Sequence, residues 1–321
     1  MSGGSLRRNV TIAGLLNTVA ALLCLCTLTA FLGQFGWLFD LTSHFRVQYA
    51  ALLLALATAC FARKKTKPAS FYLAFAFVNI ATVAACLLGS QPKVAAGGTR
   101  LRFMLLNVHT ANEQFDRVKS LIAATQPDLF VLEEVDERWL KELAALRDRW
   151  PYQISQPRDD NFGIALFSKL PLRDAEVIYL GEAEVPSITA RVEVGGKVVT
   201  ILGTHPLPPG GSEYARLRNG QLAAIPGFLA PRGGPAVVLG DLNVTPWNHY
   251  FRGLLRETGL RDSSRGQGLH ATWPSHLWPL RIPVDHCLVS REFRVLRKQV
   301  GPRVGSDHLP LIVELAVAPN E

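Results

Sequence analysis

The chain has 321 residues, with 34 Lys and Arg against 26 Asp and Glu, a composition that excludes disorder, a collagen repeat and a small disulfide scaffold. Residues 1–92 hold 7 basic residues and 1 acidic one, while the other 229 residues hold 27 and 25. The net charge of +8 therefore belongs mostly to an apolar N-terminal third, and it does not argue for a surface that grips nucleic acid.

Three charge-free apolar runs fill the first 92 residues: Val10 to Gly33, Val47 to Ala62 and Ala69 to Leu88, of 24, 16 and 20 residues. A helix needs about 20 apolar residues to cross a bilayer. The first and third runs reach that length. The second is short, but Arg46 and Arg63 bracket it and their long side chains can snorkel to the interfaces. Three transmembrane helices are expected, with a buried or re-entrant helix as the alternative for the second run. Arg7 and Arg8 precede the first run, and Arg63, Lys64, Lys65 and Lys67 separate the second from the third. These clusters share one side only if all three runs cross, and that side is cytoplasmic. The first run is too long for a cleaved signal peptide and is followed by two more. The expected layout is a multi-pass anchor in the cell membrane over 1–92, a linker over 93–100 and an extracytoplasmic domain over 101–317. Cys287 is the one cysteine of that domain, which leaves an exported domain without an internal disulfide, and it is expected to be a small core residue.

Within the second domain, 101–108 is predicted as a buried strand, 113–125 as a helix, 127–135 as a strand ending in two acids, and 137–146 as a helix. Strands are predicted over 162–168, 176–180, 188–194 and 198–205, with Gly195-Gly196 as a tight hairpin turn. A helix over 213–228, a strand over 236–243, a helix over 247–257 and strands over 284–290, 293–300 and 309–317 follow. Many strands with a few interspersed helices predict an α/β domain of two packed sheets with helices outside.

Six apolar strands abut polar clusters: Asn107-Val108-His109, Glu133-Glu134, Thr204-His205, Gly240-Asp241-Leu242-Asn243, Val284-Asp285-His286 and Ser306-Asp307-His308. One such cluster is an ordinary turn. Six point to strand ends converging on a cleft. Glu134, Asp241, Asp285 and Asp307 would then be four carboxylates with few cations nearby, a repulsion that a bound cation relieves. Oxygen ligands without cysteine favour Mg²⁺ or Mn²⁺ over zinc, and such an ion stabilises charge on a phosphoryl oxygen. Hydrolysis of a phosphate ester or anhydride by water is the expected chemistry. A Ser-His-Asp hydrolase would need a G-x-S-x-G elbow, which the chain lacks, and there is no P-loop.

The ordered blocks N-V (107–108), P-D-L-F-V-L-E-E-V (127–135), G-I-A-L-F-S-K-L-P (163–171), T-H-P (204–206), G-D-L-N (240–243), T-W (272–273), V-D-H (284–286) and G-S-D-H-L-P (305–310) resemble the endonuclease/exonuclease/phosphatase superfamily over about residues 101–316. The resemblance implies a four-layer α/β sandwich, two packed mixed sheets flanked by helices, and a divalent metal. It implies Glu134 as a metal ligand with Asn107 close by and Asp307 as a second metal-side carboxylate. Asp241 resembles the acid that orients or deprotonates the attacking water, and Asn243 the amide that holds the phosphate. His308 resembles the histidine on the phosphoryl oxygen, Asp285 the carboxylate that orients it, and His205 a further phosphate contact. Glu133 stands where relatives often have Gln and is read as a supporting or solvent-facing residue. His109 stands where many nucleases carry Asp, which weakens a nuclease reading. His109, Asn161 and Arg191 are the weaker candidates for substrate binding, with a turn asparagine and an ion-paired surface arginine as the alternatives for the last two.

The membrane layout resembles superfamily members linked to teicoplanin resistance and to polyprenyl pyrophosphate. Polyprenyl pyrophosphate or a phospholipid is accordingly the expected substrate and the lipid bilayer the expected partner. An exported or membrane-bound nuclease acting on DNA or RNA is the alternative. Trp273-Pro274 and Leu277-Trp278-Pro279-Leu280, with Trp247 nearby, form an aromatic loop that either dips into a lipid interface or caps the core.

Overall fold

The computed structural model describes residues 11–90 and 98–317, so Arg7, Arg8, Val10 and most of the expected linker lie outside the described residues. The chain forms two compact units, Met1–Ala84 and Ala85–Glu321. The first contains α1 (Ile12–Thr29), α2 (Trp37–Ser43), α3 (Arg46–Ala62) and most of α4 (Thr66–Leu87).

The three apolar runs predict three spanning helices, but among the described residues one helix, α4, is long and apolar enough to cross a membrane alone. The described apolar stretch of α1, Gly14–Thr29, is too short to qualify. Its charge-free run continues to Gly33, but glycine disfavours helix and the chain passes into a 3₁₀ turn over Gly33–Phe35. At 17 residues α3 extends about 25 Å, less than a hydrocarbon core of about 30 Å. It reaches spanning length only together with α2, across a bend of 64°. Arg46, expected at an interface, is instead buried, and its Nη1 donates to Asn79 Oδ1 at 3.3 Å. Asn79 Nδ2 donates in turn to Thr27 Oγ1 at 2.8 Å, so a polar network links α1, α3 and α4. Most of the exposed large apolar side chains of the described residues lie in the helical segments before residue 90.

The second unit holds β1 (Thr99–Asn107), α5 (Phe115–Thr125), β2 (Leu129–Glu133), α6 (Glu137–Leu143), β3 (Tyr152–Gln156), β4 (Ile164–Ser168), β5 (Arg173–Tyr179), β6 (Pro186–Val194) and β7 (Lys197–Thr204). It continues with α7 (Ser212–Leu229), β8 (Ala236–Asp241), α8 (His249–Thr258), β9 (Arg261–Asp262), β10 (Asp285–Val289), β11 (Phe293–Val300) and β12 (Leu311–Val317). The first sheet has the order β11-β12-β1-β2-β4-β3 and the second β5-β6-β7-β8-β10-β9. Each is mixed: β1 and β2 are parallel in one, β7 and β8 in the other, and the remaining pairs are antiparallel. Gly195 and Gly196, with φ of 57° and 76°, form the two-residue turn between β6 and β7 that glycine makes cheap.

Alternation along the strands divides the core into three layers. Phe103, Leu105, Val131, Ile201, Leu239 and Cys287 point inward and fill the space between the sheets. Met104, Leu106, Phe130 and Leu132 point the other way, onto Val118 and Ile122 of α5 and Trp139 of α6. Leu202, Val238 and Leu288 face Leu222 and Ile225 of α7 and Phe251 and Leu254 of α8. The result is a helix-sheet-sheet-helix sandwich, as the sequence pattern anticipates.

Candidate active site

The same alternation that builds the inner core also builds the cleft. Inward positions 103 and 105 of β1 lead to Asn107, positions 129 and 131 of β2 to Glu133, positions 237 and 239 of β8 to Asp241, and positions 289 and 287 of β10 to Asp285. Register places these residues opposite one another, Asn107 beside Glu133 and Asp285 beside Asp241. All four are buried, so polar groups cap the apolar core along one edge of the sandwich. At Gly240 an added Cβ would stand 1.9 Å from the Thr204 carbonyl oxygen, so bare backbone is required for β7 and β8 to close on that edge.

Consecutive strand residues face opposite sides, yet Glu133 and Glu134 both reach the cleft. Glu134 has φ of 59°, in the left-handed region, and this kink turns its carboxylate back toward Asn107. Asn107 Nδ2 donates to Glu134 Oε1 at 2.8 Å, and the Thr110 amide donates to Glu134 Oε2 at 3.2 Å. Asn243 is held similarly, with φ of 52°; its amide N–H donates to Asp241 Oδ1 at 3.0 Å and its Nδ2 to the Pro206 carbonyl at 2.9 Å.

His308 lies at the centre. Its Nδ1 is 2.9 Å from Asp285 Oδ2 and its Nε2 is 3.5 Å from Asp241 Oδ2. His205 Nε2 approaches the same Asp241 oxygen at 3.6 Å. Ser306 fixes the segment carrying His308: its Oγ donates to the Asn107 carbonyl at 2.7 Å and accepts the His308 amide at 2.9 Å. Asp307 Oδ2 accepts Trp273 Nε1 at 3.0 Å, while its buried Oδ1 has no hydrogen-bond partner among the described residues.

Burial and mutual charge drive these groups apart in acidity. Burial alone would keep His308 neutral, but Asp285 and Asp241 override it and lift the imidazole to about 10. Asp285, although buried, is held below the usual carboxylate range by the charge and hydrogen bond of His308. Asp241 is pushed up to about 8, first by burial and then by Asp285 and Glu134 against the pull of His308. Burial and the His308 charge push His205 down to about 3, which leaves it neutral. Glu133 is raised by burial and by Asp241 and Asp285. An imidazolium, a neutral imidazole and a carboxyl poised near neutrality thus share one cleft, an arrangement suited to moving a proton while holding an anion.

The profile of the Endonuclease/Exonuclease/phosphatase family matches residues 104–308. The chain belongs to this family. Its members are hydrolases of phosphoester bonds that generally use divalent metal ions. Among solved structures, a family member from Bacteroides vulgatus is 21% identical with a TM-score of 0.59, covering 68% of this chain and 99% of that one. A member from Beutenbergia cavernae is 24% identical with a TM-score of 0.57, covering 68% and 72%. Truncated Caenorhabditis elegans TDP2 is 16% identical with a TM-score of 0.56, covering 68% and 98%. At these identities the likeness establishes the fold. No functionally curated protein matches the chain.

Among the described residues, no group of three or more His, Cys, Asp or Glu side chains is set as a metal cage. The donors present do fit the divalent ion of this family in another way. Mg²⁺ is commonly held by one or two carboxylates and completes its shell with water and substrate phosphate. Glu134 beside the Asn107 amide, and Asp307 with an unpartnered buried oxygen, are oxygen donors of that kind.

The remaining candidates separate. His109, with φ of 63°, donates its amide N–H to Asn107 Oδ1 and lines an open pocket of about 570 Å³ with Asn112, Gln114 and Arg117. Asn161 is exposed in the β3–β4 turn with φ of 67°, although the ring of its neighbour Phe162 lies 5.4 Å from His205. The weak assignment of Arg191 to the substrate fails. It lies four residues along β6 from Ser187, whose Oγ is 2.7 Å from Thr204 Oγ1, and it points outward to pair with Asp174 at 3.6 Å. That places it roughly 13 Å along the strand from the cleft. The solvent-facing reading of Glu133 fails as well, because the fully buried carboxyl accepts the Asp241 amide at 3.0 Å. Trp247 is buried and Trp273 bonds Asp307, so these two cap the core and the site, whereas Leu277, Trp278 and Leu280 are exposed. Sequence reasoning does not reach Arg218 of α7, which is fully buried and whose Nη1 donates to the Asn243 carbonyl at 3.0 Å, fixing the left-handed turn. A lone arginine in a helical segment carries no sequence signal of such a role.

Proposed function

We propose that the protein is a membrane-anchored, metal-dependent phosphohydrolase that cleaves an amphipathic phosphate ester or pyrophosphate outside the cytoplasm, with polyprenyl pyrophosphate or a phospholipid as the substrate class. The observation that carries the chemistry is the gathering of Asn107, Glu134, Asp241, Asp285, Asp307, His205 and His308 at one edge of the sandwich. Glu134, Asn107 and Asp307 are the residues that would hold Mg²⁺ or Mn²⁺. When bound, such an ion supplies charge neutralisation at a phosphoryl oxygen and at the leaving oxygen.

The chain's own groups do the rest. Asp241 Oδ2 accepts the proton of the attacking water, a task suited to a carboxyl lifted to about 8. Asp285 orients the His308 ring and keeps it charged, so that Nε2 offers a proton-bearing donor to the phosphoryl oxygens. Asn243 spends one N–H on Pro206 and presents the other to the phosphate. His205, neutral and wedged against Phe162, adds a donor without adding charge.

Two observations support an amphipathic substrate. The N-terminal helices expose apolar side chains such as Leu22, Leu25, Leu28, Phe71 and Phe77, and α4 has the length and composition of a span. The loop with exposed Leu277, Trp278 and Leu280 is tied to the site, since the Ser275 amide donates to the Asp307 carbonyl at 2.6 Å. The extracytoplasmic location requires α1, the bent α2–α3 pair and α4 each to cross.

The test is a metal-dependent hydrolysis screen of the detergent-solubilised full chain on lipid pyrophosphate, phospholipid, DNA and RNA side by side. Phosphate release from the lipid pyrophosphate or phospholipid alone is expected. Cleavage of DNA or RNA without activity on lipid phosphates would replace this reading with the nuclease one. A C-terminal reporter active only in the cytosol would remove the extracytoplasmic location and leave the chemistry.

A further inference from the structure

The buried stripe of α7 is not wholly apolar. Ala215, Leu222 and Ile225 share it with Arg218 and Gln221, both fully buried. Apolar side chains would fill the same stripe without the cost of taking a guanidinium and an amide out of water. The two polar residues stand three apart on one face, in the second and third turns of the helix.

Both reach strand ends at the cleft. α7 is the crossover between the parallel neighbours β7 and β8. Gln221 Nε2 donates to Thr204 Oγ1 at 3.0 Å, and the same oxygen is 2.7 Å from Ser187 Oγ. The last residue of β7 is thus held between α7 and β6, and His205 follows it directly. Nε and Nη2 of Arg218 donate to Asn219 Oδ1 at 3.0 and 2.7 Å, which orients the fork, and Nη1 donates to the Asn243 carbonyl at 3.0 Å. The Tyr250 ring of α8 stands 6.0 Å from Arg218 Cζ. A planar fork bonds acceptors at fixed angles, which the single nitrogen of lysine does not.

The two turns also touch each other. Asn243 Nδ2 donates to the carbonyl of Pro206, the residue after His205. At φ of 52°, Asn243 occupies a region that a non-glycine residue keeps only where its surroundings over-determine it. One turn leans on the other at the front, and α7 holds each from behind.

We propose that Arg218 and Gln221 are positioning residues: Arg218 acts through Asn243 and Gln221 through His205, and together they set the separation of the two side chains that hold one phosphoryl group. The role in hydrolysis rests on the phosphohydrolase reading of the cleft, whereas the hold of α7 on the two turns does not need it.

The test joins hydrogen exchange, read by mass spectrometry, with hydrolysis of a soluble phosphate ester by the full chain in detergent with Mg²⁺. The variants are Arg218→Lys, Arg218→Gln and Gln221→Met, with Ile225→Val as a change in the same buried stripe that touches neither turn. Exchange over residues 240–245 should quicken about tenfold in both Arg218 variants, and over 203–207 in Gln221→Met, the weight of one lost hydrogen bond. Ile225→Val should leave both segments as in the parent. The Arg218 and Gln221 variants should lower kcat by about tenfold to a hundredfold. In an Asn243→Ala background Arg218→Lys should cost less than about a further twofold, and so should Gln221→Met in a His205→Ala background. A merely structural role would give the full loss again in the double variants, and that result would overturn the proposal. Unchanged exchange in the Arg218 variants would overturn it as well. A parent that hydrolyses no phosphate ester defeats the phosphohydrolase reading, and the exchange pattern then decides by itself whether α7 holds the turns.

Discussion

His308 with Asp285, and Lys298 with Asp262, are buried ion pairs that each join the two sheets. The first connects the segment leading into β12 with β10, at 2.9 Å. The second connects the edge strands β11 and β9, with Lys298 Nζ 3.5 Å from Asp262 Oδ1 and 2.6 Å from Ser264 Oγ. Burial is nearly complete in both. What differs is the charge balance around them. Lys298 meets one carboxylate, and His286 on the far side of Asp262 is bonded to the Val244 carbonyl. His308 meets Asp285 and Asp241, with Glu133, Glu134 and Asp307 close behind. Burying a charge is a device of the fold where it is matched; an excess of buried carboxyls over cations calls for protons or for an added cation.

That contrast can be broken most forcefully at the cleft. Asp241→Asn keeps the shape and the acceptor for Asn243 but removes the base, and is expected to lower kcat by about 10²- to 10⁴-fold without lowering the melting temperature. His308→Ala should lose hydrolysis as well and also stability, by about 3–5 kcal/mol, because Asp285 is left buried and unpaired. Phosphate release and a thermal melt measure both.

The edge pair should behave in the opposite way. Lys298→Met leaves Asp262 uncompensated, at about 3–5 kcal/mol or roughly 10 °C in melting temperature, whereas the double change with Asp262→Leu recovers most of that loss. Hydrolysis measured below the melting temperature should be unchanged in both. Loss of activity in the double variant would mean that the two pairs are not independent.

Much of this contrast is hidden in the sequence. Asn107, Asp241 and Asp285 stand at the ends of apolar runs, where alternation alone continues the inward face, whereas Glu134 reaches the cleft through its left-handed kink and His308 through the turn that Ser306 holds before β12. Lys298 and Arg218 sit among ordinary polar residues, and only the packing of edges and helices reveals that they are buried. β3 gives no strand signal because Tyr152–Gln156 is an outer strand with no fully buried side chain, and β9 gives none because it has two residues. α2 is hidden because seven residues containing Asp40 show no long apolar period. In the first unit, composition marks the apolar segments but not the glycine-bounded break that shortens α1, nor the break at His44-Phe45 that bends α2 against α3.

The pH profile sharpens the comparison. In the proposed roles, Asp241 would act as a base only above its value near 8, and His308 as a charged donor only below its value near 10. The logarithm of kcat/KM should therefore rise with pH through about 8 and fall beyond about 10, and the two limbs belong to the coupled pair rather than to either residue alone. Stability contributed by the edge pair should follow a different course. Lys298 and His286 overcome burial to hold Asp262 below the usual carboxylate range, so its contribution is present above about pH 4 and is lost as pH falls through its lower folded value. Melting temperature followed from pH 7 to pH 2 reads it. The smallest effect is expected for Glu133→Gln, which keeps an acceptor for the Asp241 amide and should stay within about threefold of the parent kcat, under 1 kcal/mol.

The central claim is that the acids of the cleft work around a shared dication. The direct measurement is phosphate release from a lipid pyrophosphate by the full chain as Mg²⁺ is titrated after chelation, with Glu134→Gln and Asp241→Asn beside the parent. The account expects no release without metal, saturable recovery in the parent, recovery shifted to higher Mg²⁺ in Glu134→Gln, and at most about a hundredth of the parent rate in Asp241→Asn at any Mg²⁺. Turnover that persists in chelator, or that stays near the parent rate in Asp241→Asn, would contradict it.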